Sequence, residues 1–307
     1  MNRESDQKLT VGLVSLHCHN RSGGWEPAML DIAQDHLLCR LSEMGFFGRG
    51  LIFKGGTALR KCRSGTEGRF STDLDFSCED AELTLEIFEL IHNLECHGFI
   101  FTLEEIDYEA GRAEMRVVPP ISQRVSESPQ FLRLSAKIEI SPRRTWHEPQ
   151  LLPMLRSNVH NALGHDLPTL PILSQNENVA EKLARYSRAP LIRDLYDLWW
   201  YGMNTVIDQD LVKSLWIKKV YYDKVIENRW KDRVFIPADI LSDSKLSLMN
   251  PEEIGILVHQ PDPAIWDQGF RNRYRFLLDL VESDIKWSRC DPRDEYAFHA
   301  TLATMGD

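Results

Sequence analysis

Residues 51–77, LIFKGGTALRKCRSGTEGRFSTDLDFS, hold the side chains of this chain best suited to chemistry. An apolar run (Leu51, Ile52, Phe53) ends in Lys54-Gly55-Gly56-Thr57. A diglycine after a strand lets backbone N–H groups approach the β- and γ-phosphates of a nucleotide with no Cβ in the way. Thr57 can assist with its hydroxyl, cap the following helix, or do both. Asp73 and Asp75 come next, two apart. On a strand both carboxylates would leave one face, with Leu74 and Phe76 on the other. Two adjacent carboxylates repel unless a cation neutralises them. The cation that suits oxygen ligands beside phosphates is Mg²⁺, or Mn²⁺. The set points to metal-dependent transfer of a nucleotidyl group.

The elements that must position these groups are legible around them. Residues 27–44 carry apolar side chains at helical spacing, and Gly45 closes the run. A strand over Leu51–Phe53, a helix from about Thr57 and a second strand over Phe70–Phe76 follow. Ala81–Cys96 reads as an amphipathic helix, and Phe99–Ile106 and Ala113–Val118 as two strands joined by a turn at Gly111. Leu132–Ile140 alternates strictly: Leu132, Leu134, Ala136, Ile138 and Ile140 are apolar, while Arg133, Ser135, Lys137 and Glu139 are polar. Ser141–Pro171 holds five prolines and reads as a connector. From Asn176 onward the pattern is mostly helical.

Composition narrows the setting. At 307 residues with 43% apolar content the chain can bury a core, and no apolar run is long enough to span a bilayer. The N-terminal segment does not read as a signal peptide. The six scattered cysteines form no CxxC pair and are expected to be reduced, which places the protein in the cytoplasm. His17-Cys18-His19 lacks a second ligand pair at metal spacing and reads as ordinary chain. A net charge of −10 argues against sequence-blind coating of nucleic acid, yet the basic residues cluster. Arg60, Lys61, Arg63 and Arg69 form one group, Arg143 and Arg144 another, and Lys182, Arg185, Arg188 and Arg193 a third. Lys182 and Arg185, three apart, share a helix face and suit a triphosphate. Asp194 and Asp197 share another face; Tyr196, Trp199 and Trp200 read as core.

Phe53-Lys54-Gly55-Gly56-Thr57-Ala58-Leu59, followed by Arg69-Phe70-Ser71-Thr72-Asp73-Leu74-Asp75-Phe76, resembles the nucleotidyltransferase motif of the AbiEii toxin family. That family includes the MenT-type toxins and belongs to the DNA polymerase β-like superfamily. Glu177–Arg185 and Arg193–Leu198 resemble its two later motifs, so the similarity runs from Leu51 to Leu198.

The resemblance implies an α/β fold, a polymerase β-like mixed sheet with a mostly helical C-terminal lobe. The expected division is a nucleotidyltransferase domain over 1–165 and a helical domain over 166–307 that completes a nucleotide cleft. It implies a type IV toxin that uses an NTP and Mg²⁺ to modify RNA at the 3′ acceptor end of tRNA. An antitoxin would be encoded nearby and need not touch it; no membrane is involved. Asp73 and Asp75 become the expected metal ligands. Glu139 becomes a candidate third carboxylate, for the metal or for the attacking hydroxyl, unless Lys137 pairs with it. Lys182 and Arg185 are expected on the triphosphate. Asp194 is expected to be needed for activity, orienting Lys182 or a water. Arg69 would hold a phosphate of NTP or RNA; Ser71 would contact a phosphate or itself be modified. Arg60–Arg69 and Arg143–Arg144 would hold the acceptor stem. Two other readings stay open: nucleotidylation of a protein hydroxyl, and a degenerate binding module, which should lack the carboxylates that this chain retains.

Overall fold

The structure is a computed structural model that describes residues 8–18, 24–121, 134–164, 166–249 and 262–305. Among these, the chain divides into two compact units. The first takes residues up to Thr145 and then Pro149–Ile172; the second takes Trp146–Glu148 and the residues from Leu173 onward.

The first unit is built on strands β1 (Ile52–Lys54), β2 (Leu74–Ser77), β3 (Leu94–Cys96), β4 (Phe99–Asp107), β5 (Arg112–Val118), β6 (Leu134–Ser141), β7 (Gln150–Pro153) and β8 (Thr169–Ile172). They form one mixed sheet in the order β3-β4-β5-β6-β2-β1-β8-β7. β2 runs antiparallel to β1 and parallel to β6, and β1 runs parallel to β8. The apolar sides of the central strands meet in the core: the Phe53 and Phe76 rings pack tilted with centroids 5.2 Å apart, beside Leu74, Ile138, Ile140 and Ile172. Helix α2 (Trp25–Glu43) belongs to the same core through residues such as Met29, Ile32, Leu37 and Leu41. It also buries Asp31, Gln34, Asp35 and His36, side chains that are rarely buried unless paired. Helix α4 (Ala81–Ile91) starts at Asp80, whose carboxylate accepts from the backbone N–H groups of Glu82 and Leu83 at 2.9 and 3.1 Å. A seven-residue helix, α1 (Val11–His17), precedes α2; α3 (Gly55–Leu59) follows β1, and α5 (Asn158–Leu163) lies between β7 and β8.

Four sequence expectations change. The strand expected at Phe70–Phe76 begins only at Leu74, so Asp73 lies one residue before it. The helix expected to reach Cys96 stops at Ile91, where Asn93 takes a left-handed turn (φ 67°) into β3. The proline connector contains β7, α5 and β8; each is too short to show a period. β8 pairs with β1, which carries the first unit to Ile172 rather than to 165. Leu132 and Arg133 lie outside the described residues, as does His19. From Leu134 onward the expected alternation holds, with Leu134, Ala136, Ile138 and Ile140 buried and Ser135 and Lys137 exposed.

The second unit is helical: α6 (Gln175–Arg188), α7 (Ile192–Asn204), α8 (Gln209–Tyr221), α9 (Pro263–Arg273), α10 (Glu282–Ser288) and α11 (Glu295–Ala303), with short turns between. Its core is aromatic. Tyr274 donates its hydroxyl to Leu198 O at 2.8 Å, and Tyr221 donates to Asp291 O at 2.9 Å. Tyr196 is buried against Trp266, while Trp199 and Trp200 are half-buried.

Phe53 is fully buried on β1, opposite Phe76 of the strand that carries Asp75. Phe53→Ala should cost about 3–5 kcal/mol, since the strands around it can close only part of the void. Chemical denaturation of the two proteins measures it.

Candidate active site

β1 ends at Lys54, and Gly55 turns the chain with φ +78°, the left-handed region that glycine enters without strain. A side chain there would have no room, because a Cβ on Gly55 would overlap Oδ2 of Asp75. Gly56 is closed off in the same way. Its Cβ would stand 2.5 Å from Nη2 of Arg69 and 3.0 Å from Oγ of Ser71. The diglycine backbone is thus lined by a carboxylate on one side and by a guanidinium and a hydroxyl on the other. Thr57 completes the set differently from expectation. It is fully buried, and its hydroxyl donates to the main-chain carbonyl of Asp73, so it braces the chain next to the aspartates. It does not cap α3, whose first turn has no side-chain cap.

The sheet register lines up charges across four strands. Lys54 on β1 pairs with Asp75 on β2, Asp75 with Glu139 on β6, and Glu139 with Arg112 on β5. Residues in register share a face, and neighbouring strands lie about 4.8 Å apart. Glu139 therefore stands next to Asp75. Its partner is not Lys137 but Arg112, which donates two hydrogen bonds to it at 3.1 and 3.2 Å. The pair is partly exposed and of the kind worth about 1 kcal/mol or less, so it can open. Among the described residues no three His, Cys, Asp or Glu side chains form a ready metal cluster. Asp73 and Asp75 themselves suit a hard divalent cation: both are carboxylates, both are half-buried, and Asp75 faces the bare Gly55 backbone.

The basic run after the diglycine is not the open RNA-binding surface that the sequence suggested. Arg60 and Lys61 are 4% and 5% exposed and point into the first unit. Arg60 contacts Asp31 through Nε at 3.4 Å and Nη2 at 3.2 Å. Lys61 lies 2.9 Å from Asp31 and 2.7 Å from Asp35. His17 bonds Asp31 at 2.7 Å, and His160 bonds Asp35 at 2.9 Å. Arg69 is buried as well. Of the two groups expected on the acceptor stem, Arg63, Arg143 and Arg144 retain exposure.

In the second unit, Lys182 on α6 faces two aspartates of α7. Asp197 lies 2.6 Å from its ammonium and Asp194 3.9 Å away. Asp194, which the resemblance had singled out, instead holds Arg185 at 3.0 Å. Lys182, Asp194 and Asp197 are all buried, whereas the Arg185 side chain is 40% exposed. Asp197 is thus the close partner, a choice its spacing alone could not make. In the sequence Glu177 is only the first residue of a motif. It is fully buried and accepts from the backbone N–H groups of Trp146 and His147 at 2.9 Å and from Lys219 at 2.8 Å. The Lys219 ammonium also sits 4.2 Å from the centre of the Trp146 ring.

Comparison with known proteins agrees with this chemistry. Residues 36–289 match the family described as "Nucleotidyl transferase AbiEii toxin, Type IV TA system". The solved structure of MenT4, the nucleotidyltransferase toxin Rv2826c from Mycobacterium tuberculosis H37Rv, is 39% identical, with a TM-score of 0.88 over 97% of this chain and 100% of that one. JHP933 from Helicobacter pylori is 18% identical over 86% of this chain and 97% of its own, with a TM-score of 0.37. No curated protein sequence matches. The mixed sheet and the motif it carries define a nucleotidyltransferase. The chain belongs to the AbiEii nucleotidyltransferase toxin family of type IV toxin–antitoxin systems. Among the described residues, no helix is long and apolar enough to cross a membrane.

The buried ion pairs give a pH dependence. Burial by itself pushes the Asp31 carboxyl up, but Arg60, Lys61 and His17 outweigh burial and hold it well below the ordinary carboxylate range. Asp35 is lowered in the same way: burial opposes, and Lys61 and His160 prevail. Lowered carboxyls stabilise the fold above their unfolded value of about 4, and that stability drains as pH falls through their folded values. Urea midpoints should therefore fall steeply below about pH 4. Asp31→Asn should flatten that dependence while lowering the midpoint at pH 7.

Proposed function

We propose that this chain moves a nucleoside monophosphate from an NTP to RNA, with the 3′ acceptor end of tRNA as the acceptor, and so blocks translation. The observation that carries the reading is the lined diglycine. No Cβ covers the backbone at Gly55 and Gly56, where phosphate oxygens could approach the N–H groups, with the Arg69 guanidinium and Ser71 hydroxyl at Gly56 and the Asp75 carboxylate at Gly55. Asp73 and Asp75 would hold Mg²⁺, or Mn²⁺, with Glu139 as the carboxylate that joins them when it leaves Arg112. The bound cation would supply charge neutralisation for the triphosphate and its leaving group.

In the transfer, the acceptor 3′-hydroxyl oxygen bonds to the α-phosphorus as the bond from that phosphorus to the bridging oxygen breaks. Pyrophosphate leaves with the electron pair, and the hydroxyl proton passes to a base. Glu139 is the candidate base, being a half-buried carboxylate in register beside Asp75. Arg69 offers a guanidinium fork for phosphate oxygens and Ser71 a hydroxyl. Lys182, Arg185 and Asp194 are assigned to the reaction through the family motifs they match. Asp197 holds the Lys182 ammonium at 2.6 Å, and Asp194 holds Arg185 at 3.0 Å. Cytoplasmic tRNA and a cognate antitoxin encoded nearby, with no direct contact required, complete the setting.

A protein hydroxyl as acceptor is favoured by one observation: burial of Arg60 and Lys61 removes two cations from the surface of a chain already at −10. One experiment reads both acceptors. Each α-³²P NTP is incubated with Mg²⁺, total RNA and total protein from the same lysate, with Asp73→Ala as control. The expected result is a labelled tRNA-sized band that disappears in Asp73→Ala. A labelled protein band would move the acceptor to protein, and no label in either pool from folded protein would overturn the proposal.

A further inference from the structure

Helix α2 carries polar side chains where a core helix has least use for them; Gln34 reaches the chain just after Arg69, and Asp31 acts on the chain before it through Arg60. We infer that Gln34 and Asp31 are positioning residues of the nucleotide site. Gln34 fixes the main chain that leads into Asp73 and Asp75, and Asp31 fixes the loop that delivers Arg69 and Ser71. The inference rests on the function proposed above for those four residues.

Gln34 is fully buried, and its amide nitrogen donates to two successive carbonyls, Ser71 O at 3.1 Å and Thr72 O at 2.8 Å. Residues 70–73 belong to neither strand nor helix, so sheet pairing does not hold those carbonyls. Among the described residues the Gln34 amide oxygen has no hydrogen-bond donor. A buried amide that leaves its oxygen unmatched loses stability there, and the two donor bonds are what it contributes in return.

Asp31 lies three residues earlier and shares that helix face. It holds Arg60, and the Arg60 guanidinium in turn donates to the carbonyls of Gly65 and Gly68, the latter at 3.2 Å. The same guanidinium lies 5.1 Å from the centre of the Phe70 ring. Arg60 therefore gathers the loop from 65 to 70 around one planar cation, and Asp31 anchors that cation. Lys61 donates to the Asp31 carbonyl at 2.6 Å and adds a second tie. The loop leaves this clamp at Arg69, whose own guanidinium lies beside Gly56. One face of α2 thus sets the distance from the diglycine to both the Arg69–Ser71 side and the aspartate side.

Gln34→Met keeps the side-chain length and removes both donor bonds. The prediction is faster amide hydrogen exchange confined to the segment around residues 71–73, with α4 and the second unit unchanged. The KM for the NTP should rise about tenfold with kcat changed by about twofold or less, because Gln34 holds the main chain of Ser71 and the approach to Asp73, whose proposed contacts to the phosphates and their cation act on ground state and transition state alike. A merely structural role would lower stability with no such split. If the methionine variant does not fold, Gln34→Glu, which sets a carboxylate against the same two carbonyls, is measured instead with the same expectation. Asp31→Asn should loosen exchange over the segment from 60 to 70. Folded Gln34 variants with wild-type exchange at 71–73 and wild-type KM would overturn the inference. If wild type transfers no label from any of the four NTPs, the proposed function fails, and the exchange measurement still decides the positioning role.

Discussion

A carboxylate oxygen of Asp75 occupies the space that a side chain at position 55 would need. That single steric fact ties the two halves of the motif together. The diglycine turn and the aspartate pair lie far apart in sequence, yet β1 and β2 run antiparallel with Lys54 opposite Asp75, which brings them into contact. Gly55 can adopt φ +78° and tolerate the carboxylate only because it lacks a Cβ. Gly56, also without a Cβ, leaves room for Arg69 and Ser71. The backbone left between them is bare, polar and bordered by charges of both signs, a suitable setting for a triphosphate and its cation.

The remaining charges are disposed in two ways. At the edge of the site they stay within reach of water: Glu139 and Arg112 form a partly exposed pair that can be exchanged for another partner. Behind the site they are buried and fully paired, with Asp31 and Asp35 meeting Arg60, Lys61, His17 and His160. Buried pairs of this kind stabilise little relative to an apolar core, but breaking one leaves an uncompensated charge and is costly. They specify geometry. In the second unit, Lys182 with Asp197 follows the same rule, whereas Arg185 meets the buried Asp194 from a partly exposed position.

The glycines, the aspartates and the alternation of β6 were legible in the sequence because each signal is local: a dipeptide, a spacing of two, a period of two. The mixed sheet and the family followed from them. The misreading of Arg60 and Lys61 has the opposite cause. Their carboxylate partners, Asp31 and Asp35, lie on α2, and nothing in the basic run itself distinguishes a buried cation from a surface one. A signal did exist in α2, where Asp31, Gln34 and Asp35 interrupt apolar residues on every side, too many for a solvated face. Asp194 and Asp197 could not be ranked by spacing, since both suit one face of a helix; only the distance to Lys182 separates them. The short strands β3, β7 and β8 escaped notice because three or four residues carry no readable period.

The central claim is that the bare Gly55 backbone under Asp75 is the phosphate cradle. Calorimetric titration of folded wild type, Gly55→Ala and Gly48→Ala with each of the four NTPs in Mg²⁺ tests it most directly. Gly48 is the control, because a Cβ there meets open space and its backbone needs no glycine. The account predicts that Gly55→Ala loses at least about tenfold in affinity for the NTP that wild type binds, equivalent to about 1.4 kcal/mol, while Gly48→Ala binds as wild type does. A folded Gly55→Ala protein with wild-type affinity would contradict it.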